Sequence, residues 1–233
     1  MKNQYFGDVR DLFKYDLIQW ILKEISSLQF TFIPMLTEND PKRGDGGKRD
    51  FDRAKKGGRP GTHNKELMEF LKKYGDKRDF TEIENYFKPN GFEIVIYKGH
   101  EYFDKRMRNK YFEKILEEYL RKSLVFVDPD NGLQIKNSKE KHLLYSEVKA
   151  LYNRMDDDSI LMIFQYFPRA RYKYKEYSPE GRANKLEEET GDLPIYISDN
   201  EIIFFLLTKN EELKSQLEGV IERYKKDYPN RLR

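Results

Sequence analysis

The chain contains no cysteine, and this absence excludes several classes of function at once. Disulfide bonds, catalysis by a thiolate and zinc sites with cysteine ligands all require that residue. Histidine is scarce as well, and His63, His100 and His142 show no spacing that is typical of a histidine metal site. Any chemistry must therefore depend on carboxylates, amides, hydroxyls, aromatic rings and basic side chains.

Long apolar runs and strong net charge are also missing. No stretch reaches the roughly 18 apolar residues of a membrane-spanning helix, and the first five residues lack the apolar segment of a signal peptide. We therefore expect a cytoplasmic protein that does not span a membrane. The net charge is only +3, so any contact with nucleic acid must come from local clusters of basic residues.

Strand-like and helix-like segments alternate along the 233 residues, which predicts a single α/β domain over 1–233. Apolar periodicity predicts helices over 11–28, 103–122, 145–155 and 211–226, with a shorter one near 67–71. Apolar runs predict parallel strands at about 30–36, 92–97, 123–128 and 160–167, and an antiparallel hairpin at 194–198 and 201–208. The expected fold is a doubly wound, mainly parallel, Rossmann-like sheet that ends in this hairpin. The sequence does not predict an oligomeric state.

Two segments combine basic residues with glycine or with aromatic rings. Residues 38–64 contain many Gly, Pro and basic residues and few apolar ones, which predicts a long insertion loop. Residues 166–175 interleave basic and aromatic side chains, and both segments follow predicted strands, so both are expected to border one end of the sheet. Cations neutralise phosphates and aromatic rings stack on bases, so RNA or single-stranded DNA is a candidate partner. The alternative is a solvated loop. The candidate contacts are Lys55, Lys56, Arg59, Arg169, Arg171, Tyr172 and Tyr174.

A polar cluster follows the most apolar predicted strand. Ligands of open α/β sheets bind beyond the carboxyl ends of the strands, and Asp128 stands at such an end. We therefore predict that Asp128, Asp130 and Asn131 form a catalytic site. The alternative is that Asp128-Pro129-Asp130-Asn131-Gly132 is only a tight turn, for which its residues are well suited.

A second polar cluster precedes the first predicted helix, and its candidate ligand contacts are Gly7, Asp8, Asp11 and Lys14. Charged groups are crowded at a helix start that should lie near the first strand. The alternative is structural, with Asp11 as the cap of the helix.

These two clusters resemble elements of the adenine methyltransferases that modify naked large-subunit ribosomal RNA. Those proteins begin with Gly-x-x-x-Asp-x-x-Lys-His, and this chain has Gly7, Asp11 and Lys14 at the same spacing, with Tyr15 in place of the histidine. The catalytic Asp-Pro-Pro-Tyr of the family aligns with residues 128–131. The resemblance implies a methyltransferase-type fold, with S-adenosylmethionine beside the first cluster. It also implies that Asp128 accepts a hydrogen bond from the target amine.

Departures from the family leave three functions open. The family's Gly-x-Gly cofactor loop after the first strand is replaced by residues 37–41, and Asp130 and Asn131 replace Pro-Tyr. The first hypothesis is a methyltransferase-like enzyme acting on nucleic acid. The second is a Mg²⁺-dependent phosphodiesterase whose metal is held by Asp8, Asp11, Asp128 and Asp130, with Lys14 or Arg169 on the phosphate. The third is a scaffold without catalysis that binds nucleic acid or a partner protein.

Overall fold

Six strands form one sheet with helices against both faces in the structure, a computed structural model that describes residues 1–40, 48–74, 78–167 and 175–233. The strands are β1 Gln29–Met35, β2 Ile94–Ile96, β3 Ser123–Pro129, β4 Ile160–Tyr166, β5 Ile195–Ser198 and β6 Ile202–Leu207. Their order in the sheet is β2-β1-β3-β4-β6-β5. The first four are parallel, and β6 runs antiparallel to both β4 and β5. The predicted Rossmann-like α/β fold is confirmed, as is the terminal hairpin.

Eight α-helices lie among the described residues. They are α1 Val9–Glu24, α2 Phe51–Lys56, α3 Lys65–Lys72, α4 Glu84–Phe87, α5 Arg108–Glu113, α6 Tyr145–Arg154, α7 Pro179–Thr190 and α8 Glu211–Asp227. Buried side chains of α1, α2, α3, α4 and α8 share one hydrophobic cluster with one face of the sheet. Buried side chains of α5, α6 and α7 share a second cluster with the other face. No described helix combines the length and the apolar composition needed to cross a membrane.

Strand β3 is the centre of both clusters, because its side chains alternate between the two faces. Leu124 and Phe126 belong to the first cluster, whereas Val125 and Val127 belong to the second. The chain passes from β1 outward to β2 on one side, and from β3 outward to β4 on the other. The sheet therefore has its topological switch point between β1 and β3, where open α/β sheets bind their ligands.

Helix α1 starts two residues earlier than the sequence predicts. Asp8 caps it, since its carboxylate accepts a hydrogen bond from the backbone N–H of Arg10 (2.7 Å). Asp11 lies inside the first turn and accepts from the N–H of Gly7 (2.8 Å). The interpretation of Asp11 as the cap is therefore wrong, and both carboxylates are fixed at the end of α1 that faces the switch point.

The prediction of one long helix over 103–122 is wrong. The segment folds as α5 between two 3-10 turns, Lys105–Met107 and Glu117–Leu120. Leu116 breaks the helical path with extended backbone angles, and its side chain is left half exposed. Ile115 and Leu120 are both buried against the second face of the sheet, so packing against the sheet overrides local helical periodicity.

The predicted loop over 38–64 is wrong for residues Phe51–Lys56, which form α2. Asp50 caps this helix, and Phe51 and Ala54 are buried in the first cluster. Gly61 has a positive φ of 86°, and a Cβ there would lie 2.4 Å from the Leu12 carbonyl, so the segment packs tightly on α1. Helix α7 has no counterpart among the sequence predictions.

Candidate functional site

A pocket opens at the carboxyl edge of the sheet, beside the switch point. Its empty space, about 380 Å³, includes a part that is open to solvent. The lining residues are Met1, Lys2, Tyr5, Asp8, Arg10, Asp11, Lys14, Asp128, Pro129, Asp130, Phe164 and Tyr166. The two polar clusters that the sequence singled out therefore line one cavity.

Lys14 links those two clusters directly. Its Nζ lies 2.8 Å from Asp11 Oδ1 and 2.9 Å from Asp128 Oδ2, and all three side chains are buried. Burial alone would lower the pKa of Lys14, but Asp11 and Asp128 raise it well above its ordinary value. The lysine therefore stays charged, and it fixes Asp128 at the end of β3.

Asp8 lies at the wall of the same pocket and has a different electrostatic character. Burial, and then the neighbouring Asp11 carboxylate, raise the pKa of Asp8 to about 6. Arg10 Nη1 approaches it at 3.5 Å, which partly offsets both effects. Asp8 can therefore gain or lose a proton near neutral pH, which is the behaviour of a carboxyl group at a functional site.

An ammonium group lies against the ends of β1 and β3. The N-terminal nitrogen of Met1 donates to the Met35 carbonyl (3.0 Å) and to the Asp128 carbonyl (3.3 Å), and lies 3.8 Å from Asp130 Oδ1. Burial lowers the pKa of this amine to about 6, although Asp130 and Asp128 oppose the shift. The ends of these two strands therefore form a set of oxygen acceptors that suits an amine.

Aromatic rings from β4 close the pocket opposite the carboxylates. Phe164 and Tyr166 pack edge to face with centroids 4.7 Å apart, and the Lys14 Nζ lies 5.3 Å from the Phe164 centroid. The Arg10 guanidinium lies 5.7 Å from the centre of the Tyr166 ring. The predicted site residues did not include Met1, Lys2, Tyr5, Arg10, Phe164 or Tyr166.

Not every predicted site residue reaches the pocket. Asn131 is exposed, and its backbone N–H donates to the Lys141 carbonyl (3.0 Å). Gly7 does not line the cavity, but its N–H and carbonyl bind Asp11 and Arg49. Asp130 does line it, where burial alone would raise its pKa but the N-terminal ammonium, the Thr37 hydroxyl and Lys141 lower it overall.

The predicted nucleic-acid contacts fall into three groups. Lys55 and Lys56 are exposed on α2. Arg59 is largely buried and pairs with Asp199 (3.3 Å) and Glu201 (3.2 Å). The remaining four lie outside the described residues: Arg169, Arg171, Tyr172 and Tyr174.

The carboxylates that would hold the metal in the magnesium hypothesis pair with basic groups of the chain itself. Lys14 lies between Asp11 and Asp128, and Arg10 contacts Asp8. Within residues 1–40, 48–74, 78–167 and 175–233, no group of three or more acidic or histidine side chains is arranged to hold a metal ion. The magnesium hypothesis stays a prediction. A comparison of the chain with protein-family models, curated proteins and solved structures finds no match.

Proposed function

We propose that this chain is a methyltransferase-like enzyme that acts on nucleic acid with S-adenosylmethionine as methyl donor. The observation that carries the proposal is the buried contact between Lys14 and Asp128 in the pocket at the switch point. The two sequence elements that resemble the ribosomal RNA adenine methyltransferases, about 114 residues apart, thus line a single cavity. The antiparallel end of the sheet agrees with the same resemblance.

The pocket contains chemical groups of the kinds that bind this cofactor. S-adenosylmethionine carries an ammonium, a carboxylate, a sulfonium and an adenine ring. The pocket is lined by carboxylates of α1 and β3, of which Asp11 and Asp128 pair with Lys14. The cations Lys2 and Arg10 and the rings of Tyr5, Phe164 and Tyr166 line it as well. Carboxylates next to cations and aromatic faces match a zwitterionic nucleoside.

Three residues of the pocket have a role in the proposed chemistry. S-adenosylmethionine supplies an electrophilic methyl group when it is bound. Asp128 accepts a hydrogen bond from the target amine and orients it, while Lys14 holds this carboxylate in place. Tyr166 offers the aromatic face that residues 130–131 lack relative to the family, since a ring of this kind stacks on an unpaired base.

Binding of S-adenosylhomocysteine tests the proposal without a known methyl acceptor. A ligand that binds only the folded state raises the melting temperature by mass action, by about 5 °C or more at roughly 100 times its Kd. The variant Asp8→Asn keeps a capping side chain on α1 but removes a carboxylate from the pocket, so it should reduce that shift. Asp50→Asn makes the same change at the cap of α2, outside the pocket, and should leave the shift unchanged.

Two outcomes count against the proposal. Equal shifts in Asp8→Asn and Asp50→Asn would place the ligand elsewhere on the molecule. The lack of any shift in the parent protein, combined with binding of single-stranded nucleic acid, would instead favour a scaffold without catalysis.

A further inference from the structure

Three basic side chains converge on one carboxylate next to the pocket. Glu201 lies in the turn between β5 and β6, and it binds Arg10 Nε (3.1 Å), Lys48 Nζ (2.6 Å) and Arg59 Nη1 (3.2 Å). The three cations come from α1, from the segment before α2 and from the segment after it. Folding thus collects them from separate parts of the chain around a single anionic group.

The turn is built to hold Glu201 in that position. Asp199 Oδ1 accepts from the backbone N–H groups of Glu201 (2.6 Å) and Ile202 (2.8 Å), and the Glu201 carbonyl accepts from the N–H of Phe167 (3.0 Å). Burial alone would raise the pKa of Glu201, but hydrogen bonds from Lys48 and Arg59 lower it to about 2. The carboxylate is therefore ionised at every physiological pH.

Glu201 does not satisfy all the donors that surround it. The Nε of Arg59 is buried and has no hydrogen-bond partner among the described residues. Two guanidinium groups and an ammonium offer more N–H donors than the two oxygens of a carboxylate accept in good geometry, and Asp8 and Asp199 each reach only one of these arginines. A phosphodiester carries the same single negative charge, but its two ester oxygens add acceptor positions to its two anionic oxygens, so it can bind more of these donors.

The cluster around Glu201 adjoins the pocket, because the two share Arg10. Arg10 lines the cavity, and its guanidinium lies 5.7 Å from the centre of the Tyr166 ring. The Lys48 side chain is 56% exposed and that of Glu201 is 29% exposed, so an anion can reach the cluster without unfolding the chain. A phosphate here would stand beside a ring on which a base can stack, which is the arrangement of a nucleotide.

We propose that Arg10, Lys48 and Arg59 bind a backbone phosphate of single-stranded nucleic acid, and that the Glu201 carboxylate occupies this site until the phosphate replaces it. The inference rests on the proposed function, because it identifies where the nucleic-acid substrate of that enzyme is held. The exposed Lys55 and Lys56 on α2, between two of the three cations in sequence, extend the basic surface.

Anisotropy of a labelled single-stranded DNA of about 12 nucleotides, titrated between about 50 and 200 mM salt, tests the site. Glu201→Gln removes the competing charge, so we expect binding to tighten by about threefold or more, with a log–log salt slope steeper by roughly 0.7. Lys48→Gln removes an exposed contact, so we expect weaker binding and a slope flatter by roughly 0.7.

Matched controls make the same charge changes elsewhere. Glu24→Gln removes a carboxylate that pairs with Arg223 at the far end of α1, and Lys88→Gln removes an exposed lysine that pairs with Glu84. If Glu201→Gln tightens binding no more than Glu24→Gln does, the proposed site is wrong. Displacement of the DNA by inorganic phosphate at equal nucleotide concentration and ionic strength would overturn the assignment to nucleic acid. The shift in melting temperature caused by S-adenosylhomocysteine is measured in the same proteins. It tests the proposed enzyme function independently of DNA binding.

Discussion

Two buried polar clusters lie on α1, only two residues apart, and they satisfy their charges by different means. At Lys14, one ammonium lies between two acidic side chains, beside an open pocket. At Asp16, the carboxylate is bound by neutral donors, namely Asn64 Nδ2 (2.9 Å), the Tyr224 hydroxyl (2.9 Å) and the Tyr228 hydroxyl (3.4 Å).

The difference shows which cluster is suited to chemistry. Around Asp16, Gln19 and Tyr86 complete a closed network that joins α1 to α8 and to the segment before α3. Burial raises the pKa of Asp16, and the three donors only partly offset this effect. Such a network holds elements together, whereas the Lys14 cluster keeps charged groups at the wall of a cavity.

Removal of the ammonium should break the first cluster with the largest effect. Lys14→Met leaves Asp11 and Asp128 buried without their cation, so we expect the free energy of unfolding at pH 7 to fall by about 3–5 kcal/mol. Urea unfolding measures this change. Lys149→Met, on the exposed face of α6, is the control and should change stability little. A loss below about 1 kcal/mol for Lys14→Met would show that the ion cluster is not needed for folding.

The cluster around Asp16 can be disrupted through the backbone segment that positions Asn64. In Gly61→Ala, the positive φ and a Cβ 2.4 Å from the Leu12 carbonyl should push this segment off α1, at a cost of about 2–4 kcal/mol. Gly91→Ala is a matched control, because φ is also positive (83°) but nothing lies within 4 Å of the new Cβ. Its cost should be about 1–2 kcal/mol, due to the backbone alone. Equal melting temperatures for the two variants would contradict the tight packing of residues 57–64.

A smaller effect is expected at Asp8, in the pH dependence of the free energy of unfolding. A carboxyl group whose pKa is about 6 in the folded state and near 4 in the unfolded state holds its proton more tightly when folded. Its contribution to stability is complete below pH 4 and is lost as the pH rises through 6. The variant Asp8→Asn has no carboxyl group there and cannot lose this contribution. Between pH 4 and 7 its free energy of unfolding should therefore rise by about 1–3 kcal/mol relative to that of the parent.

Denaturant unfolding at a series of pH values measures that gain. Asp50→Asn, at the exposed cap of α2, controls for the change in capping side chain. A constant difference between Asp8→Asn and the parent across this range would mean that Asp8 titrates as an exposed carboxyl does.

Much of the fold could be predicted because its signals are local. Residues 124–127 are apolar without interruption, so they indicate a strand buried on both faces, and β3 is such a strand. Helix α7 had usable signals too: Ser178 caps it, Pro179 opens it and Gly191 ends it with a positive φ. It was missed because only Arg182, Ala183 and Leu186 are buried, a stripe too narrow for clear periodicity.

The site was predictable in its carboxylates but not in its surroundings. Asp128 and the cluster from Gly7 to Lys14 stand out because polar groups there adjoin an apolar strand and a helix start. Glu201 gives no such signal, since an acidic residue in a hairpin turn is an ordinary surface feature, and nothing in the sequence indicates that Arg10 contacts it. Their contact, across 191 residues of sequence, exists only because the hairpin turn and the start of α1 meet at one edge of the sheet.

The class of fold, the buried centre of the sheet and the edge of the sheet that carries the polar cluster could all be predicted from the sequence. Apolar runs and helical periodicity act over a few residues, so they can be read along the chain. The pairing of the charges, in contrast, depends on how the chain folds in three dimensions. Lys14 meets Asp128, and Arg59 meets Glu201, because β1 and β3 end level with each other and the last hairpin returns to the same edge. Those distances depend on strand order and register, which no local pattern specifies.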